Sequence, residues 1–153
     1  MNATVKPQTT QDLIAPISLA PGAEDAGMAT MLADLLEQNL AQNPRKQKDF
    51  DRLGATIVIE ARDAEITTTL EFLKGTLVVH DGVSGAPKIS ISADSATILE
   101  LSMLRIVWGV PSLLDMRGRR LLRKFIAGEL KIEGLATHFI SLLRLTRLMS
   151  VNV

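Results

Sequence analysis

After Ser92 the spacing of apolar residues changes from every second position to every third or fourth, and no other feature limits the fold as strongly. Four β-rich runs come first, at 55–63, 66–73, 76–80 and 88–92. In the first, Ile57, Ile59 and Ala61 alternate with Thr56, Glu60 and Arg62, giving one apolar and one polar face. Lys74-Gly75 and Asp81-Gly82 punctuate the later runs as short turns, so the four read as an antiparallel meander. From Ala93-Asp94-Ser95, a helix cap, the period lengthens: Ile98, Leu99, Leu101, Met103, Leu104 and Val107 share a helix expected to stop near Gly109. A further helix is expected over 112–126, a fifth strand over 128–134 between two glycines, and a leucine-rich helix over 135–149. Strands followed by helices predict an α+β fold, a five-stranded and mostly antiparallel sheet with helices covering one face.

Ahead of the strands, Met28, Met31, Leu32, Leu35, Leu36 and Leu40 mark an amphipathic helix within 24–43, and the charged run 44–51 reads as a loop. The polar opening, with Pro7, Pro16 and Pro21, reads as a flexible arm over 1–23, leaving 24–153 as a single domain. A chain of 153 residues, 46% of them hydrophobic, is long enough for one core and too short for two ordinary domains. No charged segment leads into an apolar stretch at the start, so neither a secretory signal nor an anchor is read there. The most apolar window, 98–116, contains Glu100, Arg105 and Asp115 and breaks at Gly109-Val110-Pro111, which argues against a membrane span. A cytoplasmic location, soluble or peripheral to a membrane, is the expectation.

Chemistry is sparse. Without cysteine there is no disulfide, thiolate or cysteine zinc site. The two histidines, His80 and His138, are far apart and lack ligand spacing, so no metal or other cofactor is expected. Ser84 sits between predicted strands in Gly82-Val83-Ser84-Gly85-Ala86, which lacks the last glycine of a nucleophile elbow and reads as a turn. Glu129 and Glu133 flank Lys131 on the solvent face of the fifth strand as surface charge. The chain is therefore read as a non-enzyme.

Charge is balanced at 17 basic and 17 acidic residues, but residues 1–101 carry a net −6 and residues 102–153 a net +6. Arg117, Arg119, Arg120, Arg123 and Lys124 form the densest basic cluster. Aromatic side chains for base stacking are nearly missing beside it, with Trp108, Phe125 and Phe139 alone in that half, so nucleic acid is a disfavoured partner.

Over about residues 50–150 the chain resembles the sterol carrier protein type 2 family. The resemblance rests on Leu53-Gly54, the Lys74-Gly75 and Asp81-Gly82 turns, the passage Ile89-Ser90-Ile91-Ser92-Ala93-Asp94 with the following Leu99, and above all Gly128-Glu129-Leu130-Lys131-Ile132-Glu133-Gly134. It implies non-covalent binding of sterol, fatty acyl or phospholipid ligands in an apolar tunnel between a five-stranded sheet and a helical layer. Between Leu104 and Phe125 the chain is longer than the family pattern, with extra residues around Val107-Trp108-Gly109-Val110-Pro111-Ser112-Leu113.

Residues 113–126 form a sharply amphipathic wheel, with Gly118, Leu121, Leu122, Phe125 and Ile126 on one half and the five basic residues on the other. Leu113 and Met116 fall on the basic side. Either one continuous helix exposes them among cations, as on an anionic bilayer, or Gly118 breaks the helix and turns them inward. The expected lipid-binding residues are Met103, Val107, Trp108, Leu121, Leu122, Phe125, Phe139, Leu142 and Leu143, and the expected membrane-docking residues are the five basic ones. In the rival reading the same apolar surface is an interface, in a homodimer or with a partner enzyme to which lipid-soluble intermediates such as quinones are presented.

Overall fold

A computed structural model describes residues 16–103, 106–107, 110–112 and 114–150. The elements in chain order are β1 (Ile17–Leu19), a short 3₁₀ turn, α1 (Gly27–Gln42), α2 (Pro44–Arg52), β2 (Gly54–Ala61), β3 (Ile66–Leu73), β4 (Leu77–Asp81), β5 (Ile89–Ala93), α3 (Ser95–Ser102), β6 (Ile106–Val107), β7 (Val110–Pro111), α4 (Met116–Ile126), β8 (Lys131–Glu133) and α5 (Phe139–Met149). The fold is α+β, as the change of period predicts, but its main sheet has six strands and is mixed, in the order β1-β4-β3-β2-β5-β8. Strands β2, β3 and β4 are the antiparallel meander. The expected fourth member leaves it: β5 crosses to the far side of β2 and pairs with it in parallel, and β8 closes that edge antiparallel to β5. Residues 82–88 span the sheet instead of closing a hairpin. Thr69, fully buried, fastens their start by donating from its hydroxyl to the Gly82 carbonyl at 2.7 Å and accepting from the Ser84 amide at 3.0 Å.

The sixth strand comes from the stretch read as a flexible arm. Ile17–Leu19 runs parallel to Leu77–Val79, and Ile17 is buried, because its side chain completes the apolar face above β4. Residues 1–15 of that arm lie outside the described residues. The charged run after Asn43 is also not a loop. Asn43 accepts from the Arg45 amide at 3.0 Å and Pro44 takes the first helical position, so the run starts as helix α2, with Lys46 and Phe50 turned inward. Phe50 meets Phe72 of the sheet edge-to-face, at 6.2 Å between ring centres.

The core lies between the helices and the sheet face carrying Ile57, Ile59, Leu70, Phe72, Leu77, Val79, Ile89 and Ile91. Two glycines control its geometry. Lys74 and Gly75 both take positive φ, 54° and 98°, which is the two-residue turn that matches strand twist in the β3–β4 hairpin. Gly134, with φ of 80°, ends β8 so close to β5 that a Cβ would overlap the Lys88 carbonyl oxygen.

The late helices are shorter than their periodic runs. Helix α3 ends at Ser102, because the β-branched residues around Gly109 form the β6–β7 ribbon, pairing Ile106 with Pro111 and Val107 with Val110. Helix α4 starts at Met116, where Asp115 caps it by accepting from the Gly118 amide at 2.7 Å. Gly118 is thus a buried first-turn residue and breaks nothing. Among the described residues no helix is long and apolar enough to cross a membrane.

Candidate functional site

Helix α5 is held at its C-terminal end. Its last carbonyls have no partners within the helix, and α1 and α2 supply them: the Asn39 amide donates to Leu148 and Met149 at 2.8 and 3.0 Å, and the Lys46 ammonium donates to Ser150. A cation also suits the negative end of the helix dipole. Burial holds the Lys46 ammonium below the usual lysine range. Asp49 and Arg147 add a bidentate pair at 2.6 and 2.9 Å. Helix α5 therefore stands as a fixed wall, and opposite it α4 turns Leu121, Leu122 and Phe125 inward, which with Gly118 recur at the i, i+3, i+4, i+7 positions of a single helix face.

Between these walls lies a cavity of about 300 Å³. Its floor is Ile91, Leu130 and Ile132 of the sheet end, and Leu101, Pro111 and Leu135 close its sides. From α5 come Phe139, Leu142, Leu145, Thr146 and Met149. Thr146 is the one polar side chain among them, and its hydroxyl is spent on the Leu142 carbonyl at 2.9 Å. Among the described residues no lining side chain offers a free polar group or charge, so whatever touches these walls must be hydrocarbon there. Leu122, Phe125 and Phe139 line the cavity and are also exposed, which makes them its rim.

Of the residues singled out from sequence, Leu121, Leu122, Phe125, Phe139 and Leu142 come together here. Met103 caps α3 and Leu143 is half-buried, and both lie off the cavity lining. Val107 is placed as backbone of β6, and Trp108 and Leu113 lie outside the described residues. Leu130 and Ile132 were legible as the inward set of the 128–134 alternation, whereas nothing local in Ile91 or Pro111 marks them as lining.

The basic cluster divides. Arg117, Arg120 and Lys124 point along α4 toward α3: Arg117 donates to the Met103 carbonyl at 3.4 Å, Arg120 meets Glu100 at 3.3 Å, and Lys124 donates to the Thr97 hydroxyl at 2.6 Å with Glu100 at 3.8 Å. Arg119 and Arg123 are exposed and have no acidic partner among the described residues. Flanking them on the outward face stand Met116, 81% exposed, and Ile126, 77% exposed. The continuous-helix alternative is thus the one observed for Met116, and Ile126, expected on the inward half, joins it outside.

The overall fold is shared with solved structures of other proteins. Over 78% of this chain and 95% of its own length, a structure described as UbiJ-SCP2 ubiquinone synthesis protein superposes with a TM-score of 0.54 at 18% identity. A crystal structure of sterol carrier protein 2 covers 78% of this chain and 91% of itself, with a TM-score of 0.51 at 14% identity. The fold is sterol-carrier-protein-2-like. No family model and no curated protein matches the chain in sequence. Within the sterol-carrier-protein-2-like frame, Gly75 in the β3–β4 turn and Gly134 just after β8 are two positions where positive φ favours glycine.

Proposed function

We propose that this chain binds hydrophobic lipids, of the sterol, fatty acyl or phospholipid class, non-covalently in the α4–α5 cavity and transfers them through its rim. The observation that carries this reading is a 300 Å³ hollow whose described lining residues present no unspent polar group. The hollow opens at its rim, so without a ligand its apolar walls face water, and covering them is favourable. Hydrocarbon filling the space leaves water with a gain of about 25 cal/mol per Å² of apolar area, which favours loose selectivity. The likeness to sterol carrier protein 2 supports the same reading.

Docking to an anionic membrane would use the outward face of α4. Met116 and Ile126 supply apolar contact, and Arg119 and Arg123 supply charge, the composition of an interfacial helix. No catalytic role is proposed for any residue.

A second reading is favoured by one comparison, the neighbour described as a ubiquinone synthesis protein. There the exposed rim, Phe125 and Phe139 with nearby Ile140, seats on a second copy or on an enzyme, and the cavity presents a lipid-soluble intermediate such as a quinone precursor. Native mass spectrometry after gentle purification separates the two. Copurified lipid on a monomer is the expected result, a lipid-free dimer favours the second reading, and a lipid-free monomer whose Tm ignores added fatty acid and phospholipid overturns both.

A further inference from the structure

Glu100 sits where α3 and α4, two parts of the cavity wall, meet. It is the chain neighbour of Leu101, which lines the cavity from α3, and its partners Arg120 and Lys124 are the chain neighbours of Leu121 and Phe125, which line it from α4. Drawing α3 and α4 apart at this contact therefore moves the lining as well. The contact is poorly satisfied: Arg120 Nη1 lies 3.3 Å from Oε1 with its side chain 58% exposed, and Lys124 Nζ lies 3.8 Å from Oε2. Oε2 is shielded from solvent and has no hydrogen-bond partner, since the Lys124 ammonium, which donates to the Thr97 hydroxyl, stays beyond hydrogen-bond distance. A carboxylate that is half desolvated and half bonded contributes little net stability and is easily exchanged for a better anion.

The competing anion is identified by the surface around it. Arg119 and Arg123, with Met116 and Ile126, give the adjoining face of α4 the charge and apolar contact that fit an anionic lipid surface. We propose that Glu100 is an electrostatic latch on the cavity: it holds α4 against α3 in the free protein, and anionic lipid headgroups release it by taking over Arg120 and Lys124. The latch rests on the lipid-binding reading above. It couples docking to opening, so that hydrocarbon is exposed only against a membrane.

The test follows uptake of a fluorescent stearic acid from vesicles of phosphatidylcholine alone, or of equal phosphatidylcholine and phosphatidylglycerol. Wild type should load about tenfold or more faster from the mixed vesicles. Glu100→Gln should load faster than wild type from neutral vesicles and so shrink that ratio several-fold. In a second variant, Glu100→Cys with Arg120→Cys, a cleavable bis-maleimide replaces the latch with a covalent tie between α3 and α4 in a chain that has no other cysteine. It should block loading until the linker is cut. An unchanged ratio in Glu100→Gln, or equal loading by tied and cut protein, overturns the latch and leaves lipid binding standing. Failure of wild type to take up the probe from either vesicle removes lipid binding and the latch together.

Discussion

Asn39 and Leu148, 109 residues apart, are joined by a buried hydrogen bond of 2.8 Å that ties the first long helix to the last turn of α5. Removing the donor leaves carbonyls of Leu148 and Met149 short of a partner inside the protein. Asn39→Ala should therefore lower unfolding stability by about 1–3 kcal/mol, read from urea midpoints at constant m-value. A change below about 0.5 kcal/mol would show that α5 does not depend on this tie.

Gly134 offers a sharper contrast. A Cβ there meets the Lys88 backbone, which cannot rotate away, whereas a Cβ at Gly128, also at positive φ, meets open space. Gly128→Ala should cost about 1–2 kcal/mol of backbone strain, while Gly134→Ala should cost several times as much or abolish folding. Thermal melts of both variants check the order, and equal losses would refute it.

The start of α3 predicts an acid response. Asp63 accepts from the Ser95 hydroxyl and amide, and Asp94 accepts from the Thr97 amide, and these bonds hold both carboxyls below their usual 3.8. With folded pKa values below the unfolded one, the stabilisation is present above about pH 4 and is lost as pH falls through the folded values. Asp94→Asn should flatten the fall of Tm below that pH. Lys46 acts at the other end of the scale. Its folded pKa is depressed below 10.5 by desolvation, so its contribution to stability grows as pH rises through the folded value toward 10.5, and Lys46→Met should remove that increment.

Filling the cavity should be measurable as stability. At a hundred times its dissociation constant, a fatty acid should stabilise the fold by about 2.7 kcal/mol, seen as a raised Tm. Leu142→Trp, placing an indole into the lining, should weaken that ligand effect while the far-UV spectrum stays native. An undiminished shift would place the ligand elsewhere.

Membrane docking is tested at the outward cations rather than at the latch. Arg119→Gln with Arg123→Gln removes two charges worth about 1 kcal/mol each near an anionic surface, or about thirtyfold in vesicle affinity. Sedimentation with phosphatidylglycerol vesicles measures it, and unchanged binding would reject this face.

Much of the site was legible without coordinates, because one face of a helix or strand is a local property. The wheel of 113–126 placed Leu121, Leu122 and Phe125 together, and the alternation in 128–134 turned Leu130 and Ile132 inward. Boundaries were less legible where polar side chains decide them, as with Asn43 starting a helix in a charged run and Asp115 delaying another. Ile17 shows the same limit from the other direction, since a strand of three residues has too little pattern to read and exists only because β4 offers it an edge.

From the sequence alone came the α+β class, the amphipathic faces and the uneven spread of charge, all set by spacing within ten or twenty residues. Only the tertiary structure decided that β5 lies beside β2, that Leu142 rather than Leu143 lines the hollow, and that Arg120 and Lys124 turn to Glu100 while Arg119 and Arg123 face outward. Those outcomes depend on how elements far apart in the chain pack and register against each other, and the energies that select one packing over another are not written into any local period.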